Sequence, residues 1–228
     1  MTAKYERRIK HPVGKKDGKQ STLPIKDDRL LKRVMDYLWN QYLLAKTPIK
    51  KYLTYRNYML FLIGFNTAFR AEDLLQLRVK DVIKGYVNIK ELKTGKVQNY
   101  RMNKQLHDEI ITYVNTFGLE NYLFMGQKKK STTNGVTRDV IYPITRQNCD
   151  ESIFPSVKAA CGINFKFALH SLRKTFGYMY IYHGGSMLTL QKMYMHESLE
   201  ITLRYVMWDE QDIEKTRNGI FIGGTRKK

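Results

Sequence analysis

The segment His196-Glu-Ser-Leu-Glu-Ile-Thr-Leu-Arg-Tyr205 places a histidine nine residues before a tyrosine, near the C-terminal end of the chain. The chain has 228 residues and a formal net charge of +19. Upstream lie His170-Ser-Leu-Arg173 and an arginine, Arg70, within Asn-Thr-Ala-Phe-Arg-Ala-Glu-Asp. Because these arginines, histidines and a tyrosine are the groups that bind and attack a phosphodiester, they predict a phosphotransfer site that needs no metal.

The composition favours a soluble protein with an anionic partner. Forty Lys and Arg residues against 21 Asp and Glu give a pI near 9.8, and nucleic acid is the first candidate because counterion release drives such binding. Apolar residues at 43% are ample for a core. No apolar run of about 18 residues and no signal peptide are present, so we expect a cytoplasmic protein without a membrane partner. Cys149 and Cys161 predict reduced, structural thiols rather than a disulfide or a metal site.

Helical periodicity dominates the chain after its N-terminus. Residues 1–22 are basic and lack apolar periodicity, which predicts a flexible arm. One domain is expected over residues 23–208, since no break in composition demands a second. Asp27 or Asp28 can cap the first helix, and Pro48 should end it. Further helices are predicted at about 52–64, 71–77, 104–117, 146–161, 171–183, 186–194 and 198–206.

Three short, partly alternating runs interrupt the helices. Residues 78–82, 85–92 and 97–102 fit a three-stranded antiparallel sheet with tight turns. The stretch from Lys128 to Gly135 has loop composition, and Lys128, Lys129 and Lys130 are candidates for contacts with DNA phosphates. The predicted fold class is therefore mainly α with a small antiparallel β-sheet (α+β).

The chemistry assigns work to particular side chains. Arg70 and Arg173 suit the phosphate, because a guanidinium donates two parallel hydrogen bonds and stays charged. His170 and Arg173 are three residues apart and so share a helix face. Tyr205 is a poor nucleophile at an ordinary pKa of about 10, and neighbouring cations should favour its phenolate. Four other tyrosines remain alternatives whose spacing fits less well: Tyr178, Tyr180, Tyr182 and Tyr194.

The ordered set resembles the tyrosine recombinases, or phage-type integrases. Arg70-Ala-Glu-Asp73-Leu-Leu is similar to the first arginine motif of that family, and His170-Ser-Leu-Arg173 to its His-x-x-Arg motif. Lys93-Thr94-Gly95-Lys96 fits its β-turn lysine, and His196 precedes Tyr205 by the family's interval. The resemblance covers about residues 28–206 and implies the tyrosine recombinase catalytic-domain fold.

The resemblance also implies a mechanism of strand transfer. Tyr205 would attack the scissile phosphate, which leaves a 3′-phosphotyrosyl enzyme and a free 5′-hydroxyl. Arg70 and Arg173 would hold the non-bridging oxygens, with His196 as a further donor. A 5′-hydroxyl from a partner strand would then reverse the step, so neither ATP, a metal nor another cofactor is required.

Three further residues receive supporting roles from the resemblance. Lys93 would be the general acid for the 5′-oxygen, although Lys90 and Lys96 are neighbouring alternatives. His170 would assist proton transfer at the tyrosine. Asp73 would orient an active-site cation.

The sequence departs from the family in three places. Met195 stands where the family usually has glycine, and Thr67-Ala68-Phe69 stands where it often has Thr-Gly. Fewer than about 30 residues precede the first predicted helix, whereas many relatives have a separate core-binding domain there. This resembles short members such as the fimbrial phase-variation recombinases. Whether the chain is such a member or a piece of a longer protein stays open.

Residues 209–228 are predicted to form a C-terminal tail with an apolar patch at Gly219-Ile-Phe-Ile222. Such a patch has little use in a monomer, so we expect it to dock on a neighbouring protomer in a tetramer on double-stranded DNA. A mobile element or DNA inversion, accessory DNA-bending proteins and association with the nucleoid are further expectations. A type IB topoisomerase-like enzyme and a non-catalytic DNA-binding relative remain the alternatives.

Overall fold

The computed structural model describes residues 21–133 and 136–220, and for residues 127–133, 136–140 and 215 it describes the backbone alone. The predicted N-terminal arm therefore lies outside the described residues up to residue 20. Helices predominate, as predicted. They are α1 (Asp28–Leu44), α2 (Pro48–Asn66), α3 (Ala71–Leu75), α4 (Lys104–Phe117), α5 (Arg146–Asn148), α6 (Phe154–Cys161), α7 (Leu169–Tyr182), α8 (Met187–Tyr194), α9 (Leu199–Val206) and α10 (Glu210–Asn218). The strands are β1 (Tyr86–Lys90), β2 (Val97–Arg101), β3 (Met125–Thr133) and β4 (Val136–Pro143).

The first two helices meet at a proline. Asp27 caps α1 by accepting a hydrogen bond from the Arg29 amide, which selects one of the two predicted caps. The expectation that Pro48 ends α1 is wrong, because α1 stops at Leu44 and Pro48 is the first residue of α2. At this position proline loses no helical hydrogen bond and its fixed φ suits the helix.

Helices α2 and α7 form the centre of the domain. Met59, Phe61 and Ile63 of α2 have no solvent exposure. Gly64 lets α7 approach closely, since a Cβ there would lie 2.6 Å from Leu172 Cδ1. This contact sets the distance at which α7 packs against α2, and two predicted site residues lie on α7.

The predicted three-stranded sheet has only two strands, β1 and β2, which pair antiparallel. Residues 78–82 instead contain a 3₁₀ turn over Val79–Asp81. The Asp81 carboxylate accepts a hydrogen bond from the Arg78 amide at 3.0 Å and closes this turn. The valines at positions 79 and 82, three residues apart, are both buried by this turn. Their spacing therefore reflects the period of a 3₁₀ turn and not that of a strand.

The loop predicted at residues 128–135 is wrong for residues 128–133. Those residues belong to β3, which pairs antiparallel with β4 in a long hairpin. Lys128 pairs with Ile141 and Lys130 with Asp139. Backbone hydrogen bonds make this ladder, so the apolar alternation on which the sequence prediction depended is not required. The side chains of the three lysines lie outside the described residues.

The remaining helix predictions are confirmed within a few residues. A π-helical turn, Cys149–Ile153, joins α5 to α6 and continues the helix predicted at 146–161. Cys149 and Cys161 are buried free thiols, as expected. In the described parts of the chain, no helix has the length and apolar character needed to cross a membrane.

Candidate active site

Arg173 lies at the centre of the candidate site. It is only 2% exposed, and its guanidinium donates to the carbonyl oxygens of Ala68 and, at 3.0 Å, of Tyr194. The guanidinium carbon lies 4.3 Å from the centroid of the Tyr194 ring and 5.6 Å from that of Tyr205. Nε is buried and makes no hydrogen bond to the described residues. Neutral partners, two carbonyl oxygens and two aromatic rings, thus hold the positively charged guanidinium of Arg173 in place beside the predicted nucleophile.

Tyr205 and His170 are in direct contact. The hydroxyl of Tyr205 lies within hydrogen-bond distance of His170 Nε2, and the ring centroids are 5.0 Å apart. Burial, followed by the charges of Lys174 and Arg173, lowers the pKa of His170 to about 4. At neutral pH the imidazole is therefore uncharged and has a lone pair that can accept the phenol proton.

The net shift of the nucleophile's pKa is opposite to the sequence prediction. Burial raises the pKa of Tyr205, and the charges of Arg173 and Arg70 only partly offset this effect. The hydroxyl is consequently protonated at neutral pH in the DNA-free protein. A base is needed to remove this proton, and His170 is the group in contact with it.

Three of the four other tyrosines considered from the sequence have different partners or surroundings. The Tyr178 hydroxyl donates to Asp212 at 2.6 Å, and the Tyr194 hydroxyl donates to the carbonyl oxygen of Arg173. Tyr182 is 50% exposed. In the described contacts of these side chains no histidine accepts their hydroxyl proton, so the geometry favours Tyr205.

His196 lies between α8 and α9, with its ring centroid 5.0 Å from that of Tyr205. Its Nδ1 is 3.1 Å from the Thr202 hydroxyl. Burial, followed by the charges of Arg173 and Arg70, lowers the pKa of His196 to about 4. A neutral His196 has one N–H, so it donates through Nε2 only when the Thr202 hydroxyl donates to Nδ1.

Met195 has a left-handed backbone conformation, which favours glycine and so accounts for the glycine that the family usually has at this position. It ends α8 with φ of 53° and ψ of 35°, in the left-handed region. Its carbonyl accepts a hydrogen bond from Lys96 Nζ at 3.1 Å. The methionine therefore keeps the turn that presents His196, at the cost of a backbone conformation that glycine adopts more readily.

Arg70 immediately precedes α3, and its side chain is 16% exposed. It forms an ion pair with Glu91, whose side chain is fully buried. The Glu91 carboxylate also accepts a hydrogen bond from the side-chain amide of Gln98 (Nε2) at 2.7 Å and another from the Thr94 hydroxyl. The sequence reasoning missed Glu91, because one acidic residue at the end of a strand carries no pattern of its own.

Lys93 lies in the turn between β1 and β2 and is exposed. Among the described residues its ammonium makes no hydrogen bond or ion pair. Asp73 is buried, and its Oδ1 accepts a hydrogen bond from the Leu92 amide of the same turn at 2.8 Å. The structure thus brings Arg70, Arg173, His170, His196 and Tyr205 together and places Lys93 on an adjoining turn.

Comparisons with known proteins identify the family of the chain. The sequence model of the phage integrase family matches residues 40–212. The chain is 35% identical over 179 residues to the probable integrase/recombinase YoeC of Bacillus subtilis (strain 168), which covers 77% of this chain and 91% of YoeC.

Solved recombinases share the fold. The XerA recombinase superposes with a TM-score of 0.63 at 17% identity, over 88% of this chain and 66% of its own. The XerH site-specific recombinase, bound to its palindromic difH substrate in a post-cleavage complex, gives 0.62 at 18% identity, over 87% and 53%. This chain therefore spans about two-thirds of XerA and about half of XerH. The chain belongs to the phage integrase family of tyrosine-type site-specific DNA recombinases.

Proposed function

We propose that the chain cleaves and rejoins DNA strands through a covalent bond between Tyr205 and a 3′-phosphate. The observation that carries this proposal is the contact between the Tyr205 hydroxyl and His170, beside the buried guanidinium of Arg173. A non-catalytic DNA-binding relative would have no use for this pair. The type IB topoisomerase alternative lacks the support that the family match gives to recombination.

Each proton and bond in the proposed step has a named destination. The Tyr205 oxygen forms a bond to phosphorus while its proton passes to His170. The phosphorus–O5′ bond breaks, and Lys93 protonates the departing 5′-oxygen. Arg70 and Arg173 stabilise the charge on the non-bridging oxygens as it grows, and His196 donates to the same group. In the rejoining step a 5′-hydroxyl of the partner strand gives its proton to Lys93 and bonds to phosphorus. The bond between phosphorus and the Tyr205 oxygen breaks, and that oxygen recovers its proton from His170, which restores the diester in the new strand pairing.

Double-stranded DNA is the proposed partner. XerH was solved bound to its difH DNA substrate, and the net charge of +19 on this chain favours a polyanion. Lys128, Lys129 and Lys130 are proposed to contact phosphates, since the hairpin of β3 and β4 is a basic ribbon. Such contacts fix position on the duplex and carry no sequence information.

A tetramer on two duplexes is the proposed active assembly, with the C-terminal tail passing to a neighbouring protomer. In this structure α10 contacts its own chain: Asp212 binds Lys26 Nζ at 2.6 Å and accepts a hydrogen bond from the Tyr178 hydroxyl. Exchange of the whole tail between protomers would require these bonds of Asp212 to break. Alternatively, only the residues after α10 would pass to the neighbouring protomer. Residues 221–228 lie outside the described residues. Deletion of residues 209–228 should impair synapsis, and undiminished recombination by the truncated protein would argue against exchange.

The biological setting is proposed from the family. Recombination would serve a mobile element or a DNA inversion in the bacterial cytoplasm, at the nucleoid, with DNA-bending proteins as accessory factors. Supercoil relaxation without recombinant products would instead favour the topoisomerase alternative.

The test is covalent capture on DNA. The recombination site can be recovered from a random-sequence duplex library by SDS-resistant adduct formation and then placed in a nicked suicide substrate. We expect an adduct in EDTA with the wild-type protein and none with Tyr205→Phe, which should still bind. Tyr182→Phe, a change at an exposed tyrosine, is the matched control and should retain the adduct. An adduct that persists in Tyr205→Phe would refute the assignment of the nucleophile.

A further inference from the structure

Glu91 joins two parts of the site that the mechanism uses separately. Its carboxylate forms an ion pair with Arg70 and accepts hydrogen bonds from Thr94 and Gln98. Gln98 lies on β2 and Thr94 in the turn, so one side chain links the residue before α3 to the turn and to the second strand of the hairpin. Glu91 is 1% exposed, which makes this contact part of the interior.

The backbone of Glu91 closes the turn that carries Lys93. Its amide donates to the carbonyl oxygen of Lys96 at 2.9 Å, and its own carbonyl accepts from the Gly95 amide at 2.9 Å. Gly95 has φ of 68°, a conformation that glycine adopts without strain. The position of Lys93 within this turn is therefore set by the residue that also holds Arg70.

A second carboxylate ties the same turn to α3. Asp73 accepts a hydrogen bond from the Leu92 backbone amide at 2.8 Å. Leu92 directly precedes Lys93, so the turn is attached to α3 at two points, one through each carboxylate. One attachment starts at Arg70, which directly precedes α3, and the other at Asp73 within α3.

This arrangement is costly if it serves stability alone. Burying a carboxylate requires full compensation by hydrogen bonds and charge, and an apolar side chain of similar volume often stabilises a fold as well or better. A carboxylate on Arg70 also competes with a phosphate for the same guanidinium. Its presence is explained if alignment of the turn with Arg70 matters for the reaction.

We propose that Glu91 is a positioning residue that aligns the Lys93 turn with the Arg70 guanidinium, so that the general acid meets the 5′-oxygen of the phosphate that Arg70 holds. This inference rests on the proposed function of Lys93. It predicts that loss of the Glu91 contacts weakens general-acid catalysis in particular, and that phosphate binding is affected less.

Leaving-group chemistry separates these effects. A substrate with sulfur in place of the bridging 5′-oxygen expels a thiolate, which has an ordinary pKa near 8.5 and needs no acid. General acid catalysis contributes about 100-fold or more, so Lys93→Ala should cleave the oxygen substrate at least about 100-fold more slowly and recover on sulfur. Glu91→Ala should lose about 10- to 100-fold on oxygen and recover at least about tenfold on sulfur.

Thr94→Val is the sharpest variant. It removes the hydroxyl that ties the turn to Glu91 and leaves the ion pair with Arg70 in place. It should show a sulfur-rescued defect while binding DNA normally. Asp108→Asn, a carboxylate-to-amide change on an exposed face of α4, is the control and should cleave both substrates at the wild-type rate.

The outcomes distinguish the inference from the function on which it depends. Rescue of all three site variants by sulfur supports both. Rescue of Lys93→Ala alone, with equal defects of Glu91→Ala and Thr94→Val on both substrates, overturns the role of Glu91 and leaves the lysine assignment standing. Failure of Lys93→Ala to recover overturns that assignment and the inference with it.

Hydrogen exchange tests the positioning without any cleavage. In the DNA-free protein, Glu91→Gln should accelerate exchange of the Leu92 and Gly95 amides by about tenfold or more, because the turn opens locally. The Met102 amide, which bonds the Gly85 carbonyl at the far end of the hairpin, is the internal control. Unchanged exchange at the two turn amides would overturn the proposal, whatever the activity of the variant.

Discussion

The two active-site histidines should make the fold sensitive to mild acid. The pKa of His170 and that of His196 are each lowered from 6.5 to about 4, chiefly by burial and then by neighbouring cations. Between these values the unfolded chain binds protons that the folded chain does not. Stability should therefore rise with pH across this window and be lost as the pH falls through it.

The magnitude follows from proton linkage. One histidine with pKa values of 6.5 unfolded and about 4 folded loses about 1.8 kcal/mol of stability between pH 7 and pH 5. Two such residues give at most about 4 kcal/mol, and partial solvation of both rings reduces this to about 2–4 kcal/mol. Burial raises the pKa of Asp73, which acts in the opposite direction. Glu91 and Asp212 have lowered pKa values and act at lower pH.

Urea unfolding at pH 7 and pH 5 measures this loss. The wild type should lose about 2–4 kcal/mol, His170→Gln and His196→Gln about half as much each, and the double variant little. His183→Gln, on a side chain that is 63% exposed, is the control and should behave as the wild type. A wild type whose unfolding free energy changes by less than about 0.5 kcal/mol, or single variants with the wild-type slope, would refute the reasoning.

Three other substitutions test separate parts of the structure. Burial lowers the pKa of Lys174 to about 8, so the unfolded chain binds a proton at this residue that the folded chain loses. Between pH 7.5 and 10 the free energy of unfolding of the wild type, measured in urea, should therefore rise by about 1–3 kcal/mol relative to that of Lys174→Met. A difference between the two proteins that does not change with pH would contradict this. Met195→Gly relieves a left-handed methionine and should raise the free energy of unfolding by up to about 1 kcal/mol, whereas Met195→Val should lower it. Asp212→Asn should lower stability by about 1–3 kcal/mol and speed proteolysis within α10, while the exposed Glu214→Gln should change neither.

The helices and the order of the site residues could be predicted because local patterns determine them. Apolar spacing and the cap at Asp27 gave α1, and the intervals between Arg70, the His170-to-Arg173 motif and Tyr205 gave the site. The errors arose where local pattern is ambiguous. Apolar residues three apart in 78–82 fit a strand or a tight turn, and only the Asp81 hydrogen bond to the Arg78 amide distinguishes them.

The electrostatics of the site could not be predicted from spacing. Cations beside Tyr205 suggested a lowered pKa, but depth of burial is a tertiary property and it reverses the net shift. The same burial makes His170 neutral and able to accept a proton. The shared burial therefore moves the pKa values of the nucleophile and its base apart, an effect that no single motif in the sequence encodes.

The two buried carboxylates change how the charge of the site should be counted. Glu91 and Asp73, when ionised, balance Arg70 and Arg173, and both histidines are neutral at pH 7. A phosphodiester brings one further negative charge, and the proton that leaves Tyr205 stays within the group on His170. Positive charge from outside this group is then needed, and Lys93 lies on the adjoining turn. Charge balance and leaving-group protonation consequently require the same lysine, so the position of its turn becomes the feature on which cleavage depends.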